Sequence, residues 1–337
     1  MSTPPAHLDP TSAGLQRWHP AGVFFRAKLG AAVRKAALDA GFSCPNRDGT
    51  LSRAGCSFCN PAGSGTGLAA LPLAGQWALQ VPRIRARDPQ ARILAYLQAY
   101  SNTHASPERL RAVLEETAAL PGVCGLCLGT RPDCLDVGSG EARLDVLASF
   151  VRPDGLPFMQ LDLGLQSADD AVLARANRGH GARVFAEAAQ AAAAHGLLVC
   201  AHLVHGLPGA GPHDLTRSVE FLNALPVSGV KFHNLLVCRG APLAREWQEG
   251  RAPLPELEDY VAALTEALER LRPDICVERL FADPAPGELV APAWAADKAA
   301  GLRLLRRELD HRNTWQGRLD FCPERLPDWA GYHLPNT

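Results

Sequence analysis

CPNRDGTLSRAGCSFCN, residues 44–60, gathers three of the chain's ten cysteines within sixteen positions. A closed structural zinc site takes four ligands, and C-x2-C knuckles usually come in pairs. Here one knuckle, Cys56 and Cys59, has a single distant partner, Cys44. A histidine from elsewhere in the chain would complete a zinc site. Iron–sulfur clusters also want thiolates, normally four; three would hold a cubane and leave one iron open to a further ligand. The spacing by itself leaves both chemistries standing.

Composition narrows the setting. The chain has 337 residues, 47% hydrophobic and 20% charged, enough to bury one large core or two modest ones. Its start lacks the basic and apolar pattern of a signal peptide, and no segment approaches the roughly 18 apolar residues of a membrane span. A cytoplasmic protein with no membrane partner is expected. Its thiols would be kept reduced there, which favours metal binding or catalysis over disulfides. A net charge of −1 gives no global field for nucleic acid. The basic stretches RIRAR (83–87) and RLLRRELDHR (303–312) read as a solvated loop and a polar helix face.

Beyond the cysteine loop, short apolar runs alternate with helical ones. The runs are RKAALDA (34–40), RILAYLQAY (92–100), GVCGLCLGT (122–130), PFMQLDLGLQ (157–166), LLVCAHLVHG (197–206) and GVKFHNLLV (229–237). Helical stretches at 107–120, 141–151, 168–177, 181–196 and 211–225 separate them, a rhythm of parallel βαβ units. Several runs end in Gly-rich or polar turns, where a parallel barrel places its active-site face. The expectation is an α/β fold: a partial TIM-type (β/α)6 barrel over 31–245, an N-terminal arm over 1–30, and a C-terminal helical extension over 246–337 packed on the barrel. ICVERLFAD (275–283) is a candidate last strand, and an open doubly wound sheet is the alternative. GSGTG (63–67) follows a cysteine turn rather than a strand, so it reads as a flexible linker and not a nucleotide loop.

Cys56-Ser57-Phe58-Cys59 resembles the Cys-x-aromatic-Cys end of the cluster motif in the radical S-adenosylmethionine (SAM) superfamily. The eleven residues between Cys44 and Cys56 exceed that superfamily's usual spacing. The insertion, DAGFSCPNRDGT, looks like one branch, the bacterial YhcC-type proteins related to the elongator catalytic subunit. LQAYSNTHA, LCLGTRPDC, LDLGLQS, NRGH, CAHLVHGLPG and VKFHNLLVCRGAPLA are similar to the same branch, in order, from about residue 18 to near 317. The resemblance implies a [4Fe-4S] cluster on Cys44, Cys56 and Cys59, with the SAM amino and carboxylate groups on its open iron and Phe58 on the adenine side. It also implies reductive cleavage of SAM to a 5'-deoxyadenosyl radical that takes hydrogen from a substrate, and an electron donor such as flavodoxin or ferredoxin. The elongator subunit acts on the wobble uridine of tRNA, which makes tRNA the candidate substrate and partner.

Side chains alternate along a strand, so residues of one parity share a face. Tyr96, Gln98, Tyr100 and Asn102 form one such set, and Asp162, Gly164 and Gln166 another. By resemblance, these strand ends and RANRGH contact SAM, making Gln98, Asn102, Asp162, Gln166, Arg175 and Arg178 the candidates. Asp162 stands where the family has glutamate. An arginine fork suits the methionyl carboxylate, and Gly206 would let the backbone approach the adenosine. His202 shares a face with Cys200, and Lys231 with His233; a lysine in so apolar a run needs a partner or a wet cavity. These three, His202, Lys231 and His233, are the expected substrate-pocket residues, with Tyr96, Tyr100 and His104 to cushion an extruded base. The plainer readings are structural histidines and solvated helix arginines. Cys124 and Cys127, three apart on a strand, point to opposite faces and cannot chelate one ion without a bulge.

Three readings compete with a radical enzyme acting on tRNA. One is a zinc-stabilised binding protein without chemistry, another an electron carrier that uses the cluster without SAM. The last is a radical SAM enzyme acting on a small metabolite or peptide. Colour separates the first from the rest, since an anaerobically purified cluster protein is brown and a zinc protein colourless.

Overall fold

The computed structural model describes residues 15–331 apart from 64, 66 and 141. The apolar runs become parallel strands covered on both faces, as their near-continuous burial requires. In chain order they are β1 (Val33–Leu38), β2 (Arg92–Leu97), β3 (Val123–Thr130), β4 (Met159–Gln166), β5 (Leu198–His205) and β6 (Gly229–Asn234), each paired with the next. After β6 the chain leaves the sheet as β7 (Val237–Cys238). It returns as β8 (Cys276–Arg279), parallel to β6, before β9 (Leu289–Ala291) pairs antiparallel with β7. The curled sheet therefore has seven strands rather than the six expected, because the candidate last strand adds to its edge.

Helices α1 (Ala21–Leu29), α2 (Pro45–Asp48), α3 (Leu73–Arg87), α4 (Pro107–Ala118), α5 (Ala142–Ser149), α6 (Asp170–Arg175), α7 (Ala182–Ala194) and α8 (Asp214–Asn223) connect the strands. Beyond them lie α9 (Pro242–Gln248), α10 (Leu257–Arg270) and α11 (Lys298–His311). Their starts follow ordinary capping chemistry: Ser106, Asp169 and Asp297 each accept from amides of the first turn. RIRAR is the end of α3 and not a loop; Pro82 sits inside that helix, where its missing N–H makes the sequence look broken. No helix among the described residues is long and apolar enough to cross a membrane.

The sheet sorts its residues by parity. Leu126, Leu128, Leu161, Leu163, Val199, Leu203, Val230 and Phe232 are fully buried in the core that includes α4, α7, α8 and α10 residues. Each such side chain contributes roughly 1.5–3 kcal/mol. The opposite parity carries Lys35, Tyr96, Cys127, Asp162, Cys200, His202 and Lys231 into the hollow of the curl. β1 and β8 are the two edges, so the curl stays open on that side. Helix α1 lies against both edges, and Lys35 Nζ reaches Glu278 Oε2 across the gap at 2.7 Å.

Candidate active site

The cysteine loop runs from the end of β1 over the mouth of the curl. Cys44 caps α2, with the Arg47 amide donating to its carbonyl at 2.8 Å, and Pro45 supplies the first helical residue. Distant segments then hold the loop. Asn177, with φ 51°, donates to the Gly55 carbonyl at 2.6 Å, the Ser57 amide donates to Ala176, and the Leu243 amide donates to Ser57. Arg47 donates to the Cys59 and Asn60 carbonyls at 3.0 and 2.5 Å.

Cys44, Cys56 and Cys59 all line one cavity at this mouth, of about 200 Å³. They are free thiols. Among the described residues, the three metal-capable side chains with ligand atoms within 4.8 Å of one another are Asp162, Cys200 and His202, and not these cysteines. A tetrahedral zinc would draw its sulfurs to roughly 3.8 Å of each other, so the wider spread fits a multi-iron cluster and disfavours a single ion. Lys231 already pairs with Asp162, which fills the charge role a cation would take there.

Donors meet the sulfurs. Arg178 Nη1 lies 3.6 Å from Cys56 Sγ and Asn46 Nδ2 lies 3.5 Å from it. Arg131, buried and forked onto Asp133 at 2.9 and 2.7 Å, keeps a buried Nη1 without a partner and lines the same cavity. Burial pushes the Cys59 thiol up, and the Arg47 guanidinium pulls it back. Such donors are what an anionic thiolate-bound cluster needs when it leaves water.

The structure divides the residues expected to contact SAM. Phe58, Gln98, Asp162, Gln166 and Arg178 line the cysteine cavity with His202 and His233. Gln166 is held at φ 76°, a strained conformation for a residue with a Cβ, and the β4–β5 register shifts between Gly164 and Gln166. Arg178 turns Nη1 to Cys56 and Nη2 to the Gly164 carbonyl, and its buried Nε keeps no partner. Three of the expected residues do not line this cavity. Asn102 is fully buried, and its amide donates to the Leu97, Ala99 and Gly129 carbonyls, because the chain turns after β2 instead of continuing its parity. Arg175 pairs with Glu246 at 3.7 Å and lines a separate groove with Gly206. Gly206, at φ 91°, gives room to Pro255, 2.8 Å from where its Cβ would stand.

Inside the curl a buried ion network fills the floor. Asp162 pairs with Lys231, lies 3.5 Å from His202 Nε2, and accepts from Gln160, which also donates to Glu278. Burial would raise the Asp162 carboxyl, but the ammonium groups of Lys231 and Lys35 hold it well below the usual range. Lys231 is raised for the reciprocal reason: burial opposes its charge, and Asp162 outweighs it. His202 and His233 stack with ring centroids 5.1 Å apart. Burial, with Lys231 beside it, lowers His202 to about 4 and leaves the imidazole neutral; burial and His202 lower His233 as well.

The bulge that would undo the parity argument for Cys124 and Cys127 is present. The β2–β3 register shifts between Ile93 and Ala95, Gly125 sits at φ 148°, and both thiols join one apolar cluster with Phe25, Tyr96 and Phe158. Burial raises Cys127 to about 12, so it is a protonated core thiol. Gly63 and Gly65, expected in a linker, pack closely under Tyr100 and against Ala99. Lys35, Gln160, Glu278, Arg131 and Arg279 were missed. Parity in RKAALDA could have found Lys35, whereas Arg279 depends on a bulge that no local pattern announces.

A half-barrel with a three-thiol mouth defines an enzyme class, and the family comparisons agree. The radical SAM superfamily model matches residues 44–222 and the radical SAM C-terminal domain model matches 227–311. The chain belongs to the radical SAM superfamily. Within it, the chain is a YhcC-type relative of the elongator catalytic subunit, an enzyme of unknown substrate. Protein YhcC of Escherichia coli is 37% identical over 288 residues, covering 85% of this chain and 90% of that one. A tRNA uridine(34) acetyltransferase of Dehalococcoides mccartyi is 33% identical over 135 residues, 39% of this chain and 27% of that one. The Elp3 structure from Methanocaldococcus infernus superposes with TM-score 0.61 at 16% identity, over 84% of this chain and 64% of that chain. Family members use a [4Fe-4S] cluster and SAM, and a reductant to start the chemistry. When bound, the pair would supply one-electron cleavage of SAM; Cys44, Cys56 and Cys59 would hold the cluster, and the arginine and asparagine donors beside them would orient it.

Proposed function

We propose that this enzyme uses SAM-derived radical chemistry on a nucleoside of tRNA, with the wobble uridine as the target and a flavodoxin or ferredoxin as electron donor. The observation that carries the reading is the cavity shared by Cys44, Cys56, Cys59, Phe58, Gln166, His202 and His233, which gives thiols, cofactor-side groups and substrate-side groups one common space. The relative named for tRNA uridine(34) supports the substrate. Exposed Arg303, Arg306, Arg307 and Arg312 on and just after α11 offer phosphates a local basic track despite the net charge of −1. A base in this reading leaves its stack to enter the mouth, with His202 and His233 toward its edge and Lys231 in the floor beneath, paired with Asp162.

The test is nucleoside mass spectrometry of tRNA from a deletion strain, its parent and a strain complemented with Cys59→Ala. The expected result is one nucleoside lost in the deletion and not restored by Cys59→Ala. Identical profiles in all three would remove tRNA as substrate.

A further inference from the structure

We propose that Arg279 receives an anionic group of the substrate, a carboxylate or a phosphate, where the cluster cavity meets the open side of the curl. The inference rests on the radical SAM reading and adds the charge class of the substrate. It starts from a backbone irregularity. Val230 pairs with Val277, but Lys231 pairs with Arg279, so Glu278 is an extra residue in the β6–β8 ladder. Strict alternation would send Glu278 and Arg279 to opposite faces; the bulge turns both toward the hollow. Bulges of this kind re-aim a side chain next to active sites.

Glu278 is then consumed by Lys35 and Gln160. The Arg279 guanidinium makes no hydrogen bond or ion pair among the described residues. It lines the cysteine cavity, an adjoining cavity of about 330 Å³ beside Phe58 and Cys59, and a cavity of about 1080 Å³ under α1 at the open side. At the strand-built centre, Lys35, Lys231 and Arg279 face the carboxylates of Asp162 and Glu278, while Asp283 and Glu288, which line the adjoining cavity with Arg279, are taken up by Lys298 and Asn60. The neighbouring imidazoles do not change that count, because burial keeps both neutral, and His233 Nε2 is itself buried without a partner. One cation is therefore left over beside an unsatisfied ring nitrogen. A two-oxygen anion answers both, forked on the guanidinium and accepting from the imidazole.

The rival occupant is SAM's own carboxylate, and the experiment separates the two. SAM affinity is measured by equilibrium dialysis on cluster-loaded wild type, Arg279→Gln and Arg279→Lys. Crystals of wild type and Arg279→Gln are soaked with sodium selenate, a phosphate-like probe, or with 4-bromobenzoate, a carboxylate probe, and anomalous density is read. The expected result is SAM affinity within twofold of wild type and an anomalous peak on Arg279 that vanishes in Arg279→Gln. A selenate peak points to phosphate, and a bromobenzoate peak to a carboxylate. A tenfold loss of SAM affinity in both variants, no peak at Arg279 in wild type, or a peak that survives Arg279→Gln overturns the proposal. The wild-type soak stands even if Arg279→Gln does not fold. Failure of the tRNA profile leaves these readouts untouched, so the two proposals fail separately.

Discussion

The Arg178 guanidinium reaches the Cys56 sulfur from 122 residues away, its Nη1 3.6 Å from Sγ, while Nη2 donates to the Gly164 carbonyl at 2.8 Å. The contact ties the cysteine loop to β4, and it puts a permanent positive charge against one of the sulfurs that would hold the cluster. Gly164 is part of the arrangement, since a Cβ there would land on the Arg178 guanidinium and the Gln166 amide.

Arg178→Met should therefore make the cluster harder to reduce. At a fixed poise the reduced fraction should fall on the order of tenfold, about 59 mV for a one-electron couple. An EPR-monitored redox titration reads it, and Arg178→Lys should recover part of the shift. Gly164→Ala should move the potential the same way at little cost in stability, because it collides with flexible side-chain ends. An unchanged potential in Arg178→Met would show that the guanidinium acts only as a structural tie.

Cys44→Ala, Cys56→Ala and Cys59→Ala should each fail to retain a full complement of iron and sulfide after anaerobic reconstitution. Cys124→Ala and Cys127→Ala should retain it, since neither thiol lines the cysteine cavity. Retention of a full cluster by any of the first three would move the site elsewhere.

The Lys231–Asp162 pair is buried on both sides. Lys231→Met strands a carboxylate and should destabilise the apo protein on the order of 3 kcal/mol, whereas Lys231→Met with Asp162→Leu should cost much less. Urea midpoints measure both. Equal losses for the single and double variants would mean that Asp162 is satisfied by Gln160 and His202 without the lysine.

His202 sets a pH limit on the apo protein. Its folded pKa of about 4 lies below the ordinary 6.5, so the unfolded chain takes the proton first as pH falls. The stability from a neutral His202 is whole above pH 6.5 and is lost between pH 6.5 and 4, on the order of 3 kcal/mol. His202→Gln should flatten that part of the slope relative to wild type, followed by denaturant unfolding across the range. Parallel slopes would contradict the neutral imidazole.

The sequence by itself determined the cluster loop, the parallel α/β class and the inward parity of Asp162, His202 and Lys231. Those features depend on short spacings and on the two-residue period of a strand, which neighbours along the chain set. Tertiary structure alone decided the rest. Cys56 meets Arg178, Gly206 meets Pro255 and Asn102 reaches the Gly129 carbonyl because separate segments converge there. Cys124 joins Cys127, and Arg279 enters the hollow, only because ladders between strands slip by a residue. A bulge reverses the facing of everything beyond it, and it is a property of the pairing between two strands distant in the chain rather than of the residues beside it.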